Sequence, residues 1–515
     1  MQRILSVENM RKSDAYTIAG GISGTELMMR AGRAVYEAVD WKPPVAVVCG
    51  SGNNAGDGYV IAALLHDNGI RCDIIPAGDR FSEDGQYYFD KCAEKGIPVI
   101  RWEEALLKTD TDKQKERAGY STIVDCIYGT GFHGELEEKT AGIIEAINKS
   151  GAYTVSVDIN SGLNGDSGMA GDNGCVVSDL TVSIGSYKPG HFLNMGKDVM
   201  KRKINCDIGI EPVDPPFFLT EKKDFARLFT PRKEFSNKGD YGYIALIGGS
   251  KRYSGAVRLA YMANASMRAG AGVVKVAVPD SLSAVVASNI LESTLFPLSD
   301  DNGEIVFKEG EFEELIKNVR TVAFGMGAGV SDETGKALKY LLEKFTGTLV
   351  IDADGLTLLS RMGEEVTANT SAKLVLTPHM KEFSRLTGKT VAQILASPVE
   401  TAREFAAERR VILLLKGPST IITDGNTLYI TDSGCSGMAT AGSGDVLSGI
   451  LAAVCAYLPG KPDADGKEIT LVSVVAAGAY INGRAGELAC QKTNPVSMTA
   501  GDTVSCIAGA VSELL

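Results

Sequence analysis

The chain has little that would suit it to a nucleic acid, a membrane or an oxidising compartment. Lys and Arg number 52 against 64 Asp and Glu, a net charge of −12. A phosphate backbone and an anionic lipid surface are both repelled by such a balance, so neither a nucleic-acid nor a membrane partner is expected. No apolar run approaches the length of a membrane span, and no basic start leads into an apolar stretch of the signal-peptide kind. The 10 Cys include no Cys-x-x-Cys, and Cys49, Cys126 and Cys455 lie inside apolar runs. They read as buried thiols in a reducing compartment, with the cytoplasm as the expected location. A Walker loop is missing too, since no Gly-Lys-Ser/Thr follows a four-residue gap after Gly.

What is present is glycine, 58 residues of it, without collagen-like or low-complexity spacing. In a chain of 515 residues and 44% hydrophobic content, that fits many strand-to-helix loops in more than one globular domain. Short β-branched runs end in ligand-type loops. Val45–Cys49 leads into Gly50-Ser51-Gly52-Asn53-Asn54-Ala55-Gly56-Asp57-Gly58, with a helix expected from Tyr59 to Asn68. A strand over Arg71–Pro76 follows. Ser121–Tyr128 leads into Gly129-Thr130-Gly131-Phe132-His133-Gly134, and Tyr153–Val157 into Asp158-Ile159-Asn160-Ser161-Gly162-Leu163. Such alternation predicts an α/β fold with a doubly wound parallel sheet and ligands at its C-terminal edge. The segment up to about Val39 reads as helical cover for that sheet. Glu211-Pro212-Val213-Asp214-Pro215-Pro216 suits neither helix nor strand, so a boundary is expected near 215–230, dividing the chain into 1–220 and 221–515. A second α/β unit begins at Tyr243–Ile247, with strands over Thr321–Phe324, Leu349–Ile351 and Val411–Leu415.

The strongest chemical signal is Ala439-Thr440-Ala441-Gly442-Ser443-Gly444-Asp445 running into Val446-Leu447-Ser448-Gly449-Ile450-Leu451. Small residues leave backbone N–H groups uncovered where a helix begins, and the positive end of its dipole suits a phosphoryl group. Gly442, Ser443 and Gly444 form this anion hole. Asp445, fixed beside it, is placed to take a proton from a hydroxyl attacking phosphorus. The alternative is an ordinary Gly-rich turn capped by Asp. The company decides between them: Thr377-Pro378-His379-Met380-Lys381-Glu382 puts His379 and Glu382 three apart at a helix start. Lys416-Gly417-Pro418-Ser419-Thr420 ends an apolar strand with one cation and small hydroxyls. In the N-terminal half, Asn53 to Gly58 offers amides and an acid at a helix start, or else plain turn residues and an N-cap. Asp125 and Asp158 end two strands of one sheet, where carboxylates must be solvated, paired or coordinated.

With these residues assembled, the whole chain resembles the family of bifunctional NAD(P)H-hydrate repair enzymes. The resemblance rests on Gly50 to Gly58, Asp158 to Leu163, Lys188-Pro189-Gly190-His191, Lys238-Gly239-Asp240-Tyr241-Gly242, Thr377-Pro378-His379 and Gly442-Ser443-Gly444-Asp445. It implies an N-terminal Rossmann-like epimerase domain and a C-terminal ribokinase-like dehydratase domain that uses ADP (or ATP), acting on NADHX and NADPHX. On this resemblance Asn53, Asn54, Ala55, Gly56, Asp57 and Gly129 to Gly134 hold the hydrated dinucleotide, together with Asp158, which shuttles protons. Potassium is held by Asn54, Asp125 and Ser161. Ala256, Gly327, His379 and Asp445 bind the hydrated substrate in the second domain, and Lys416, Gly417, Pro418, Ser419, Thr420 and Gly444 the adenine nucleotide. Glu382 helps hold magnesium through water, and a homo-oligomer is expected. Ala55 stands where the family usually has a second Gly, and Asn160, Met326 and Met380 where it usually has Pro. Ala55 therefore demands a backbone without positive φ. Two rivals share these motifs: a sugar or vitamin kinase fused to a nucleotide-binding regulatory domain, and a non-catalytic dinucleotide sensor in the N-terminal half.

Overall fold

The computed structural model describes residues 2–106, 119–213, 217–251, 262, 264–363 and 365–515. Asp214 to Pro216 of the expected boundary, and Ala256 of the expected substrate site, lie outside them. The chain divides into two compact units, Arg3–Phe217 and Phe218–Leu515. Both are α/β, as the alternation of runs and loops requires.

In the first unit six parallel strands lie in the order Cys72–Pro76, Val45–Cys49, Thr122–Cys126, Tyr153–Val157, Leu180–Ile184, Lys203–Cys206. Alternation across the pleat supplies the two cores. Val45, Val47 and Cys49 pack with the helices Gly24–Ala38 and Asn53–Asp67 on one face. Ala46 and Val48 pack with Ile143, Ile144 and Ile147 of helix Glu138–Lys149 on the other. The order reverses between Val45–Cys49 and Thr122–Cys126. The loops leaving those two strands therefore diverge, opening a crevice at the switch point.

Helix Asn53–Asp67 starts six residues earlier than the sequence suggests, so most of the expected loop is its first turns. Two Asn and two Gly are poor helix formers, and packing overrides them. A Cβ on Gly56 would sit 2.3 Å from Met28 Sδ, and one on Gly58 2.9 Å from Cys49 Sγ. Only bare backbone lets this helix lie so close to its neighbours. Ala55 has no positive φ and is 2% exposed, so the departure from Gly carries no backbone strain. Helices Val7–Ala19 and Gly24–Ala38, each N-capped by a Ser side chain (Ser6 and Ser23), occupy the segment expected to be helical.

In the second unit the sheet runs Phe217–Leu219, Leu428–Thr431, Thr420–Thr423, Ile412–Leu415, Lys373–Leu376, Thr348–Ile351, Thr321–Met326, Tyr243–Gly248, Val273–Pro279, Thr294–Leu298. It is parallel except where Ile412–Leu415, Thr420–Thr423 and Leu428–Thr431 form an antiparallel meander. Helix Ser443–Tyr457 is apolar nearly all round and correspondingly buried from Asp445 to Ala456. It lies against the strands Thr321–Met326 and Tyr243–Gly248 and against helix Leu471–Lys492. Its N-terminus thus opens at the C-terminal edge of the sheet. Among the described residues no helix is long and apolar enough to cross a membrane. Cys49, Cys126 and Cys455 are buried free thiols; burial pushes Cys455 up to about 12.

Candidate active sites

The crevice of the N-terminal unit is a cavity of about 710 Å³. Of the residues named from sequence it gathers Asn53, Asn54, Asp57, Gly129, Thr130, Gly131, Phe132, His133 and Asp158. Ala55, Gly56 and Gly134 are not on its wall; Ala55 and Gly56 face the packed side of their helix. Tyr128 and Phe132 stack at 5.0 Å between ring centroids and offer a flat apolar surface suited to an aromatic ring.

Asp158 follows directly on strand Tyr153–Val157 with a φ of 65°, a left-handed backbone rarely adopted by a residue with a side chain. Its Oδ2 accepts from Thr130 N at 3.3 Å, and its Oδ1 is paired with the Lys188 ammonium. Lys188 is 1% exposed and also donates to Ile184 O at 3.0 Å. Burial pulls the Asp158 carboxyl upward. The Lys188 charge and hydrogen bond more than cancel that pull, leaving the group below the ordinary carboxylate value. His191 completes the clamp. Its Nδ1 accepts from Lys188 N at 3.1 Å, so Nε2 carries the proton and donates to Asp158 O at 2.8 Å. Burial, with the neighbouring ammonium, lowers His191 to about 4 and keeps it neutral. The sequence quoted Lys188-Pro189-Gly190-His191 as a motif and gave it no task. Its work is to hold one aspartate ionised and aimed at the cavity.

Behind this wall, Asp125 is fully buried inside strand Thr122–Cys126. It accepts from Ser161 Oγ at 2.5 Å, Ser161 N at 2.9 Å, Ser156 Oγ at 2.9 Å and Ile127 N at 3.3 Å. Burial raises its carboxyl and these donors pull it back. Asn54 donates from Nδ2 to Tyr128 O at 2.9 Å and Val157 O at 3.2 Å, while its buried Oδ1 has no hydrogen-bond partner. Asn160, where Pro is usual, is fully buried. It donates to Val176 O, Ser178 Oγ and Val199 O and accepts from Thr181 Oγ1 at 2.6 Å. The stiffness that a proline ring would give this loop comes here from hydrogen bonds.

In the C-terminal unit, Gly442 takes a left-handed φ of 90° immediately before helix Ser443–Tyr457 and, lacking a side chain, caps nothing. Ser443 N bonds back to Thr440 O at 3.3 Å. Asp445, third in the helix and 7% exposed, folds back toward the helix start, where a Cβ on Gly442 would lie 3.9 Å from its Oδ2. Lys416, at the end of strand Ile412–Leu415, reaches the same place. Its Nζ would be 3.6 Å from a Cβ on Gly444 and donates to Asp352 Oδ1 at 2.8 Å. Asp352 Oδ2 accepts from Ser448 Oγ at 2.9 Å, so one carboxylate ties the cation to the anion-hole helix. Asp352 directly follows strand Thr348–Ile351, and no sequence motif marks it.

His379 and Lys416 bridge neighbouring strand ends. The His379 ring caps helix Met380–Thr387, its Nδ1 accepting from Lys381 N at 3.1 Å, while Glu382 Oε2 accepts from His379 N at 2.8 Å. Glu382 is 8% exposed; burial raises its carboxyl against the opposing pull of Lys416. Gly327 follows strand Thr321–Met326 with a φ of 64°. Ser419 is buried and donates to Asp432 Oδ1 at 2.9 Å, and Thr420 opens the next strand. Among the described residues no three His, Cys, Asp or Glu side chains gather as a metal centre. Asp352→Asn removes the charge facing Lys416, whose side chain is 23% exposed. The expected loss is about 2 kcal/mol of stability, less than a fully buried pair because water reaches the ammonium. It is read as a lower denaturant midpoint.

The family model described as NAD(P)H-hydrate dehydratase matches residues 244–508, and that of the YjeF-related protein N-terminus matches residues 24–190. The bifunctional NAD(P)H-hydrate repair enzyme Nnr of Thermofilum pendens is 32% identical over 514 residues, spanning 96% of this chain and 93% of its own. That of Moorella thermoacetica is 32% identical over 501 residues, covering 92% and 90%. That of Coxiella burnetii is 30% identical over 505 residues, covering 96% of each.

Proposed function

Because the chain belongs to the family of bifunctional NAD(P)H-hydrate repair enzymes, we propose that it returns hydrated NADH and NADPH to their reduced forms. Residues 1–220 interconvert the R and S epimers of NAD(P)HX. Residues 221–515 dehydrate the S form with ADP (or ATP) as phosphoryl donor; ADP gives AMP and phosphate. The observation that carries this reading is the meeting of Asp445, Gly444, Lys416 and Asp352 at one helix N-terminus.

In the dehydratase site Asp445 takes the proton of the carbon 6 hydroxyl as its oxygen attacks the terminal phosphorus. First-turn N–H groups and the Lys416 ammonium stabilise the charge that builds on the phosphoryl oxygens. The hydroxyl, a poor leaving group, becomes a phosphate ester. The ring-nitrogen lone pair then expels phosphate, and loss of a proton from carbon 5 restores the carbon 5–carbon 6 double bond. Glu382 would hold magnesium through water; a single carboxylate plus phosphate oxygens is an ordinary donor set for that ion, which would neutralise phosphate charge. His379 and Gly327 would line the hydrated-nicotinamide side, and Lys416 to Thr420 the nucleotide side.

In the epimerase site Asp158, ionised against Lys188, moves the carbon 6 hydroxyl proton. Asn53, Asp57 and the Gly129–His133 loop hold the dinucleotide. The unpartnered Asn54 Oδ1 fits potassium, a weakly hydrated cation satisfied by neutral oxygens; Asp125 and Ser161 would complete its surroundings and supply the compensating charge. The test mixes the protein with chemically hydrated NADH and ADP. Recovery of dihydronicotinamide absorbance from both epimers supports the reading. Recovery of the S form alone removes the epimerase half, and a stable phosphoester in place of free phosphate points to a kinase.

A further inference from the structure

Of the six carboxylates that line the N-terminal cavity, Asp14, Asp57 and Asp158 are the ones that interact with the Lys188 ammonium. Lys188 is paired with Asp158. Ionising the other two as well would place three negative charges beside one positive charge in a half-buried space, a costly arrangement. Asp14 reaches the cavity from helix Val7–Ala19 and Asp57 from helix Asn53–Asp67. The wall they share also carries Asn54, 7% exposed, whose Oδ1 lacks a partner. This is a surface prepared for a polar ligand.

We propose that Asp14 is the second acid–base residue of the epimerisation site, the proton donor that works with the base Asp158. The proposal deepens the epimerase reading and rests on it. Burial lifts the Asp14 carboxyl to about 6, Lys188 opposing and Asp158 adding to the rise. Burial, then Asp158 and Asp14, lift Asp57 well above its ordinary value. Asp14 therefore exchanges its proton near neutrality, where a general acid is most effective. Asp57, Asp158 and Lys188 act on Asp14 from the packed elements, and the same cavity wall carries Arg11 on its own helix, His133, Glu135 and Glu137 on the facing loop, and Asp84.

The step balances without a redox partner. Asp158 takes the proton of the carbon 6 hydroxyl, and the carbon 6–nitrogen 1 bond breaks as carbon 6 becomes an aldehyde. The released electron pair goes to nitrogen 1, which takes the proton of Asp14. Rotation about the carbon 5–carbon 6 bond presents the other face. Nitrogen 1 then returns its proton to Asp14 as it closes on the carbonyl, and the new hydroxyl recovers the proton held by Asp158.

The test follows conversion of the purified R epimer of hydrated NADH to the S epimer by chromatography, without nucleotide, on the full chain. Wild type is expected to show an alkaline limb in kcat/KM that starts from near pH 6. Asp14→Asn is expected to lower kcat roughly tenfold to a hundredfold with KM little changed, and to lose that limb. Asp14→Glu restores most of the rate and keeps the limb. Circular dichroism and thermal melts of the same preparations check folding of the N-terminal unit. An Asp14→Asn enzyme with wild-type kcat, or with reduced kcat and the limb intact, overturns the proposal while the epimerase reading stands. A wild-type enzyme that does not interconvert the epimers overturns both.

Discussion

Replacing Asp445 with Asn is expected to stop ADP-driven recovery of NADH from hydrated NADH and to leave epimer interconversion at its wild-type rate. The substitution keeps the shape of a side chain that is 7% exposed and removes its capacity to accept a proton. Loss of a positioned general base costs about 10²- to 10⁴-fold, and the attacking group here is an alcohol that needs one. Lys416 and the helix N-terminus, to which the proposed function gives the nucleotide, are unchanged in the variant. The effect therefore falls on kcat, and nucleotide affinity measured by calorimetry stays close to wild type. Dehydration at full speed in Asp445→Asn would sink the assignment of this carboxylate.

Lys188→Met is expected to damage both stability and epimerisation, and to do so in a pH-dependent way. The ammonium is buried against Asp158, and removing one partner of such a pair costs about 3–5 kcal/mol. In wild type the pairing lowers the Asp158 carboxyl. Its stabilisation is therefore present above the unfolded-state value and is lost as pH falls through the lower folded one. In the variant Asp158 keeps only the upward pull of burial, so the penalty is largest at pH 7–8. It shrinks toward pH 4 as the carboxyl takes a proton. Thermal melts across that range should show the gap between variant and wild type narrowing as pH falls. An equal gap at every pH would mean that Lys188 contributes packing alone. Epimer interconversion at neutral pH should fall with it, because Asp158 is no longer held ionised.

The Gly-rich helix start before Asp445 was legible because its chemistry is local. Gly442-Ser443-Gly444-Asp445 places uncovered amides and an acid within one helical turn, and any strand-loop-helix reading puts that turn at a sheet edge. The cavity wall from Gly129 to His133 was legible for the same reason. Groups whose meaning depends on a distant partner were not. Lys188 reaches an aspartate 30 residues away, and Lys416 one 64 residues away. Nothing in the local pattern of either says which carboxylate it meets. Asp14 stands on a helix with no motif around it; only the fold brings it to the cavity. The start of helix Asn53–Asp67 was misplaced because Asn and Gly were read by propensity, while in the structure the glycines are what let the helix approach the sheet. The resemblance implies that Glu382 helps hold magnesium, and the spacing of His379 and Glu382 also builds a capping box.

Asn160 has a consequence for which substitutions this loop tolerates. A proline at that position stiffens the chain by itself and asks nothing of its neighbours. The asparagine instead bonds to Ser178 and Thr181, whose hydroxyls also bond to each other at 2.8 Å. Asn160→Pro would leave the Ser178–Thr181 pair in place and remove its bonds to the buried amide, so here the stiffer residue is the destabilising one. The segment that follows Asp158 is held by three side chains acting as one buried network.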